Sequence, residues 1–324
     1  MSERVFDPAA RPDGGLLSEV ARRYHIEGET QDAIARSLSM SRMKVNRLLR
    51  QALSEGVVEV RVRYHSSRTR EIEEAFREAF GLRHLLVAPT VGAPERQRRA
   101  VATVVSAYLE TNLREGLVLA VGMGRNVAEI ARVQTQVRFD NLVFVAGSGG
   151  ATEAGALGNA DHICRALAER FGGRAETLYA PAFVPDAELR ERLMSHDTVR
   201  RTLNLARSAD LALVGVGDLG ADSHMARMGW FSVDELQAVQ AAGATGDLLG
   251  YDFYDDAGQP TGGNLSGRVV GLCREDLKRI STTIAIASEE SKARAILGAL
   301  RTGVIDVLAT SLANCETVMR LARI

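Results

Sequence analysis

Cysteine is scarce in this sequence, and no metal-binding motif accompanies it. The chain has 324 residues and three cysteines, Cys164, Cys273 and Cys315, which lie far apart with no cysteine or histidine at metal-ligand spacing beside them. An odd number of scattered cysteines does not indicate a disulfide framework. We therefore expect buried, reduced thiols in a reducing cytoplasm, with no metal and no other cofactor.

Long apolar runs are also missing. No stretch approaches the roughly 18 apolar residues that span a bilayer, so the sequence predicts no membrane partner. The N-terminal segment MSERVFDPAARPD is charged and contains proline, which is unlike a signal peptide or a membrane anchor. We expect residues 1–13 to form a disordered arm.

A large net charge is absent as well, because the total at pH 7 is -1. The distribution of charge is therefore more informative than the total. In the stretch TQDAIARSLSMSRMKVNRLLRQA, five Lys or Arg side chains follow Ala33, and no Asp or Glu lies between Ala33 and Glu55. A basic run alone is most often a solvated helix face, so its neighbours decide what it means.

The neighbouring residues predict three short helices followed by a strand. Apolar spacing predicts a first helix from Leu16 to His25. Thr30 suits the N-cap of a second helix and Ser41 that of a third. Gly56 ends the third helix, and VVEVRVR alternates as a strand does. The inward stripe of the third helix consists of Val45, Leu48, Leu49 and Ala52.

With that stripe inward, the third helix points basic and amide side chains outward. Arg47, Asn46 and Met43 are the candidates for base edges, whereas Arg42 and Lys44 suit phosphates. The order of helices, turn and strand predicts a winged helix-turn-helix domain over residues 14–65 that binds operator DNA. The candidate DNA-binding residues are Thr30, Gln31, Ser41, Arg42, Met43, Lys44, Asn46, Arg47 and Arg50.

After a predicted linker helix over residues 66–84, short apolar runs alternate with helical segments. This alternation over residues 85–324 predicts an α/β domain with a parallel sheet covered on both faces. Ligands of such sheets bind at the carboxyl ends of the strands, near the topological switch point. The predicted strand runs are LLVAP, LVLAVG, NLVFVAG, LALVGVG, TTIAIAS and DVLAT.

Several segments, taken in chain order, match the pattern of one family. The N-terminal positions are Tyr24, Thr30-Gln31, Ile34-Ala35, Leu38, Ser41-Arg42, Lys44-Val45, Arg47-Leu48-Leu49, Ala52 and Gly56-Val57-Val58. The later segments are AETLYAPAFVPDAELRERLMSHDTVRRTLNLARSADLALVGVGDLG, GDLLGYDFYDDAG, NLSGRVVGL and TTIAIASEESKARAILGALRTGVIDVLAT. Together they resemble the SorC family of sugar-responsive bacterial transcriptional regulators, which is also grouped with DeoR-like, LsrR-like and CggR-like effector domains. The resemblance implies a Rossmann-like effector domain of the fold shared with sugar-phosphate isomerases and glucosamine-6-phosphate deaminase, in a homo-oligomer, dimer or tetramer.

Loops after the predicted strands supply a candidate site for a carbohydrate effector. Amide-rich loops at helix N-termini suit an anion, Lys292 adds positive charge, and Asp218 and Asp247 offer acceptors to sugar hydroxyls. Each candidate also has an explanation that needs no ligand: the glycines can form tight turns, Asp247 can cap a turn, and Lys292 can be a solvent-exposed lysine. The candidate effector-binding residues are Gly122, Gly124, Arg125, Asn126, Gly147, Ser148, Gly149, Asp218, Asp247, Ser288, Glu289 and Lys292.

Three places depart from the family pattern. Ser39 stands in the turn where the family usually has glycine, and Gly122-Met123-Gly124-Arg125-Asn126 replaces the usual Gly-Trp-Gly-Arg-Thr. Ala287-Ser288-Glu289 replaces the usual Ala-Gly-Gly, which puts a carboxylate where a phosphate would approach. A neutral sugar, a polyol and a sugar phosphate therefore all stay open as the effector.

An enzyme of the same fold, a sugar-phosphate isomerase or deaminase, is the alternative function. His84, His162, His196 and His224 show no paired acid/base motif, and no matched carboxylate pair is evident. We therefore predict no catalytic residues. The sequence favours a one-component DNA-binding transcriptional regulator of carbohydrate metabolism genes.

Overall fold

The computed structural model describes residues 12–58, 67–135, 137–151, 158–220, 230–263 and 265–324. The chain divides into two compact units, residues 1–65 and 66–324. Some predicted features lie outside the described residues: most of the arm (1–11), the greater part of the strand VVEVRVR (59–63), and His224.

The described part of the smaller unit consists of helices α1 (Pro12–His25), α2 (Gln31–Ser37) and α3 (Arg42–Ser54). Helix α1 starts at Pro12, so Pro12 and Asp13 are helical and do not belong to the predicted arm. The fixed φ of proline suits the first helical turn, which explains this earlier start. The two predicted caps are present, because Thr30 Oγ1 accepts from the Ala33 N–H and Ser41 Oγ from the Lys44 N–H, each at 3.2 Å.

The three helices bury one shared apolar face. Val20, Ile34 and Val45 are fully buried at its centre. Helix α3 contributes the predicted inward stripe, and all four of its residues are buried. Burying an aliphatic side chain stabilises a fold by about 1.5–3 kcal/mol, so this core fixes the rotation of α3 about its axis.

The turn between α2 and α3 places Ser39 in the left-handed region, with φ +51°. Residues with a Cβ atom seldom adopt this conformation, which costs about 1 kcal/mol more than it does for glycine. The turn is closed by the Met40 N–H, which donates to the Ala35 carbonyl at 2.9 Å. Ser39 therefore occupies a position that glycine would fill with less strain.

The larger unit alternates strands and helices along the chain. Single turns of 3-10 helix occur at Ser266–Arg268 and Glu290–Lys292. Its elements are α4 (Ser67–Phe80), β1 (His84–Ala88), α5 (Pro94–Asn112), β2 (Val118–Val121), α6 (Arg125–Ile130), β3 (Val143–Ala146), α7 (Ala160–Phe171), β4 (Arg174–Glu176), α8 (Ala187–Ser195), α9 (Asp197–Arg207), β5 (Leu211–Gly217), α10 (Val233–Ala241), β6 (Gly246–Leu248), β7 (Asp252–Tyr254), α11 (Arg274–Leu277), β8 (Thr282–Ile286), α12 (Ala293–Arg301), β9 (Val307–Ser311) and α13 (Leu312–Ala322).

Seven strands form a parallel sheet in the order β1-β9-β8-β5-β2-β3-β4, and a short antiparallel hairpin, β6-β7, extends from β5. The chain runs outward from β2 through β3 to β4, and then returns to the other side of β2 at β5. The strand order therefore reverses between β2 and β5. A crevice at the carboxyl ends of these two strands is the expected ligand site of such a sheet.

Both faces of the sheet are covered by apolar side chains. Successive residues of a strand point to opposite faces, and Leu213 and Val214 accordingly belong to two different hydrophobic clusters. The same alternation separates Ile284 from Ala285 in β8. This double coverage explains why the central strands read as continuous apolar runs, and it confirms the predicted parallel α/β sheet.

Three details differ from the sequence expectations. Helix α4 is part of the larger unit and not a separate linker, because Ile72 and Phe76 are buried in the core of that unit. Strand β1 begins at His84, inside the predicted linker. Strands β4, β6 and β7 were not predicted, because each has three residues. Cys164 and Cys315 are buried free thiols as expected, but Cys273, at the N-cap of α11, is exposed.

In the described ranges, no helix combines the length and apolar character needed to cross a membrane.

Candidate functional site

The outward face of α3 carries the cationic candidates of the smaller unit. Lys44, Arg47 and Arg50 are exposed, and Met43 is 80% exposed. Long flexible cations above a packed core remain available to an anionic partner. This face therefore fits a polyanion.

The other candidates of the smaller unit have local partners. The Asn46 amide donates to Gln31 Oε1 at 3.4 Å, which ties α3 to the start of α2. Arg42 lies 3.8 Å from Asp32, and both side chains are well exposed. Exposed pairs of this kind contribute little to stability, so Arg42 can exchange Asp32 for another anion at small cost. Thr30 and Ser41 are engaged as helix caps.

In the larger unit, the loop after β2 is positioned by two glycines. The Gly122 N–H donates to the Leu213 carbonyl of β5 at 2.8 Å, and a Cβ atom at Gly122 would lie 3.1 Å from that oxygen. Gly124, at the N-cap of α6, has φ +113°, which favours glycine. The start of the loop therefore runs close beside the backbone of β5 at Leu213, and the loop leads into α6 at Arg125 and Asn126.

The loop after β8 meets the loop after β2 through a buried polar network. Ser288 Oγ donates to Asn126 Oδ1 at 2.6 Å, and Asn126 Nδ2 donates to Glu289 Oε2 at 2.9 Å. Asn126 and Ser288 are almost fully buried. The structure thus brings together three predicted site residues from opposite ends of the unit.

Three cations surround the Glu289 carboxylate. Lys292 Nζ lies 3.1 Å from Oε2, Arg98 NH2 lies 3.4 Å from Oε1, and Arg125 NH2 lies 4.0 Å from Oε1. Burial opposes ionisation here, but the Lys292 charge and the hydrogen bonds from Asn126 and Lys292 hold the pKa of Glu289 well below its usual range. Glu289 is therefore ionised at neutral pH.

Asp247 lies on the β6-β7 hairpin beside the end of β5 and is 1% exposed. Its Oδ1 accepts from the Gly250 N–H at 2.8 Å, while Oδ2 has no hydrogen-bond partner among the described residues. Burial raises the pKa of Asp247 to about 7, although the Lys292 charge and the Gly250 N–H act to lower it. A Cβ atom at Gly217 would fall 1.9 Å from Oδ2, so any larger residue there would have to displace the Asp247 carboxyl group.

Asp218 joins the same edge of the sheet through Ser291, whose hydroxyl donates to Asp218 Oδ2 at 2.8 Å. This bond connects the loop after β5 with the 3-10 turn that ends at Lys292. Lys292 is 13% exposed, so it is more buried than a solvated lysine. Loops after β2, β5 and β8 therefore converge at the predicted edge.

The loop after β3 behaves differently. The Gly147 N–H donates to Val121, and the Gly149 N–H donates to Val270 at 2.9 Å. A Cβ atom at Gly149 would lie 2.5 Å from the Ala180 carbonyl oxygen, and the Ser148 hydroxyl is buried without a partner among the described residues. The hydrogen bonds of this loop hold neighbouring backbone segments and do not connect it with Glu289.

Sequence reasoning missed Arg98, Ser291 and Asn314 at this site. The Arg98 side chain is only 11% exposed, and Asn314 Nδ2 donates to the Glu289 carbonyl at 3.2 Å. Arg98 lies in the helical run RQRR, where a charge cluster is typical of a solvated face. Only the fold brings that helix to the loop after β8.

The described histidines of the larger unit have their contacts outside this network. His84 packs against Tyr108, His162 lies 3.9 Å from Asp161 on α7, and His196 separates α8 from α9. Within the described ranges, no cluster of His, Cys, Asp and Glu suits a metal ion.

Comparison with known proteins gives a consistent result. A family model described as "Putative sugar-binding domain" matches residues 64–320. The erythritol catabolism regulatory protein EryD of Brucella abortus is 27% identical over 298 residues, which covers 91% of this chain and 93% of that protein.

Two solved structures share the fold. A domain titled "Putative Sugar-Binding Domain of Transcriptional Repressor from Vibrio fischeri" is 44% identical with a TM-score of 0.73, over 78% of this chain and 99% of that one. The full-length sorbitol operon regulator SorC from Klebsiella pneumoniae has a TM-score of 0.69 at 24% identity, over 95% of this chain and 100% of that one. The chain therefore belongs to the sugar-binding-domain family of transcriptional regulators, the SorC family.

Proposed function

We propose that this regulator binds operator DNA through residues 14–65, as a winged helix-turn-helix domain with α3 as its recognition helix. The observation that carries the proposal is the division of α3 into a buried apolar stripe and an exposed face with Lys44, Arg47 and Arg50. An α-helix fits the major groove, where arginine reads guanine bidentately. Lysine and the remaining arginines supply salt-dependent affinity for phosphates.

The larger unit, residues 85–324 in the predicted division, binds a carbohydrate effector at the carboxyl ends of β2, β5 and β8. Asn126, Asp218 and Asp247 offer hydrogen bonds to hydroxyl groups, and Lys292 and Arg125 offer positive charge. Several polar side chains held by a rigid sheet edge suit a small polyhydroxylated ligand. The names of relatives that act in erythritol and sorbitol metabolism support a sugar, a polyol or a sugar phosphate.

Binding without turnover is sufficient for this function. In a cytoplasmic dimer or tetramer, two recognition helices meet half-sites about one helical turn, or a multiple of it, apart. An effector that prefers one quaternary arrangement changes DNA affinity by its differential binding energy, typically about 1–3 kcal/mol. The proposal therefore assigns no catalytic step to the chain.

Fluorescence anisotropy with the full-length protein tests both parts. The probe is a duplex from the region upstream of the regulator's own gene, and the control is a shuffled duplex of equal composition. We expect roughly 1,000-fold or greater preference for the upstream duplex, and a shift in that affinity on adding erythritol, sorbitol or their phosphates. Equal affinity for both duplexes contradicts the DNA-binding assignment. Turnover of a sugar phosphate, followed by NMR, contradicts the assignment of binding alone.

A further inference from the structure

Glu289 occupies a place where cationic side chains from three segments converge. Arg98 belongs to α5, Arg125 to the start of α6, and Lys292 to the turn after β8. Among the described residues, Glu289 is the ion-pair partner of all three, and no other carboxylate is within 4 Å of any of them. Arg98 and Lys292 are largely buried, so solvent does little to offset their charge.

The donors around Glu289 are those that hold a phosphate or carboxylate ligand. Arg98, Lys292 and the Asn126 amide donate hydrogen bonds to its two oxygens, and the Arg125 guanidinium adds positive charge 4.0 Å away. Charge-assisted hydrogen bonds such as those from Arg98 and Lys292 are the strong ones in anion recognition. The backbone of Glu289 is also held in place, because Asn314 Nδ2 donates a hydrogen bond to the Glu289 carbonyl oxygen.

We propose that Glu289 is a built-in anion that fills the anion position of the effector site, so that the effector is an uncharged polyol or sugar. The inference rests on the proposed function, since it concerns the ligand of that same site. A phosphorylated ligand would bring a second anion against Glu289 and would have to break its ion pairs. A hydroxyl group can instead share the remaining lone pairs of the carboxylate without displacing the cations.

Inorganic phosphate is the probe that isolates this charge. Calorimetric titration of the full-length protein at low ionic strength compares the wild type with Glu289→Gln, which keeps the shape of the side chain and removes its charge. The matched control is Glu290→Gln, because Glu290 is exposed and has no ion pair among the described residues. Glu289→Asp retains the charge and should behave as the wild type does.

The expected result is that Glu289→Gln binds phosphate at least tenfold more tightly than the wild type, Glu290→Gln and Glu289→Asp. Equal phosphate affinity in the wild type and a folded Glu289→Gln protein overturns the proposal. If Glu289→Gln does not fold, calorimetric titration of the wild type with paired ligands tests the proposal. Erythritol is compared with erythritol 4-phosphate, and sorbitol with sorbitol 6-phosphate. Tighter wild-type binding of a phosphorylated member overturns the proposal, and tighter binding of the parent polyol supports it.

The proposed function fails in a different way. Loss of operator preference, or no response of DNA binding to any carbohydrate, contradicts the regulator model but leaves the phosphate comparison unaffected. A gain of phosphate binding by Glu289→Gln would still identify residue 289 as the internal anion.

Discussion

The side-chain amide of Asn126 donates a 2.9 Å hydrogen bond to Glu289, which lies 163 positions later in the chain. The two residues follow β2 and β8, and β5 lies between these strands in the sheet. Their contact therefore spans the end of the intervening strand. It makes the two halves of the candidate effector site dependent on one side chain.

Replacing Asn126 with alanine should destabilise the larger unit. The change removes the bond to Glu289 and leaves the buried Ser288 hydroxyl without its acceptor. An unsatisfied buried polar group costs about 1–3 kcal/mol in addition to the lost bond, so we expect the free energy of unfolding to fall by about 2–4 kcal/mol. Urea denaturation measures this loss. Asn112→Ala, at the exposed end of α5, should cost under about 0.5 kcal/mol, and a similar small loss at Asn126 would contradict the network.

Replacing Ser39 with glycine should stabilise the smaller unit. Ser39 has φ +51°, and glycine adopts this conformation without the Cβ penalty, so the expected gain is about 1 kcal/mol. Hydrogen exchange of α2 and α3 in the full-length protein reports the change as slower exchange. Ala33→Gly, inside α2, is the opposite control and should speed exchange, because glycine weakens a helix by about 1 kcal/mol. Faster exchange in Ser39→Gly would show that the left-handed turn is misassigned.

The pH dependence of stability should identify Asp247. Its folded pKa of about 7 exceeds its ordinary value of 3.8, so the folded state keeps a proton that the unfolded state releases between these values. Wild-type stability therefore loses up to about 4 kcal/mol from this group as pH rises from 4 to 7. The Asp247→Asn substitution should abolish that loss. The stability of the variant relative to the wild type should therefore increase from pH 4 to pH 7 and level off above pH 7.

Urea denaturation at several pH values provides the difference curve for Asp247→Asn. The exposed residue Asp234 on α10 supplies a matched control, because Asp234→Asn makes the same chemical change at the surface. We expect a much smaller variation with pH for the control. A flat curve for Asp247→Asn would mean that its carboxyl is solvated in the folded protein.

Two substitutions on α3 should separate base reading from phosphate binding. Arg47→Ala should lose about 1–3 kcal/mol on the preferred duplex and relax sequence preference. Lys44→Ala should weaken binding to all duplexes about equally and lower the salt slope by about 1. Anisotropy titrations at several salt concentrations distinguish these patterns.

Arg320→Ala is the matched control for the α3 variants, because it removes an exposed arginine from α13 in the larger unit. It should leave DNA binding unchanged. If Arg47→Ala and Lys44→Ala also leave DNA binding unchanged, α3 is not the recognition helix.

The central sheet was predictable because its strands are buried on both faces. A strand covered by helices on each side is apolar at every position, so runs such as LALVGVG and TTIAIAS stand out from a single sequence. The short strands β4, β6 and β7 leave no such pattern. The hairpin that carries Asp247 was therefore missed, although Asp247 itself was a candidate.

The candidate site was only partly predictable, for a physical reason. Glu289 was visible as an unexpected carboxylate in a loop, but the cations that surround it come from distant segments. Arg98 illustrates the difficulty, because its helix reads as a charged surface and only the packing of α5 buries the side chain. Conversely, Gly147 and Gly149 fitted the pattern of a ligand loop, and their observed contacts are with neighbouring backbone.

The strand order also affects how the protein folds while it is being synthesised on the ribosome. The smaller unit has its apolar core complete once α3 has been made, and its contacts are local, which favours fast folding. In the larger unit, β1 pairs with β9, so the first strand to be synthesised has no partner strand until the last one has been made. Strand β1 therefore spends most of translation without its partner strand, whereas β2 and β3 have their neighbours once β5 has been made. During that interval the unpaired apolar strand β1 is a site at which aggregation can begin.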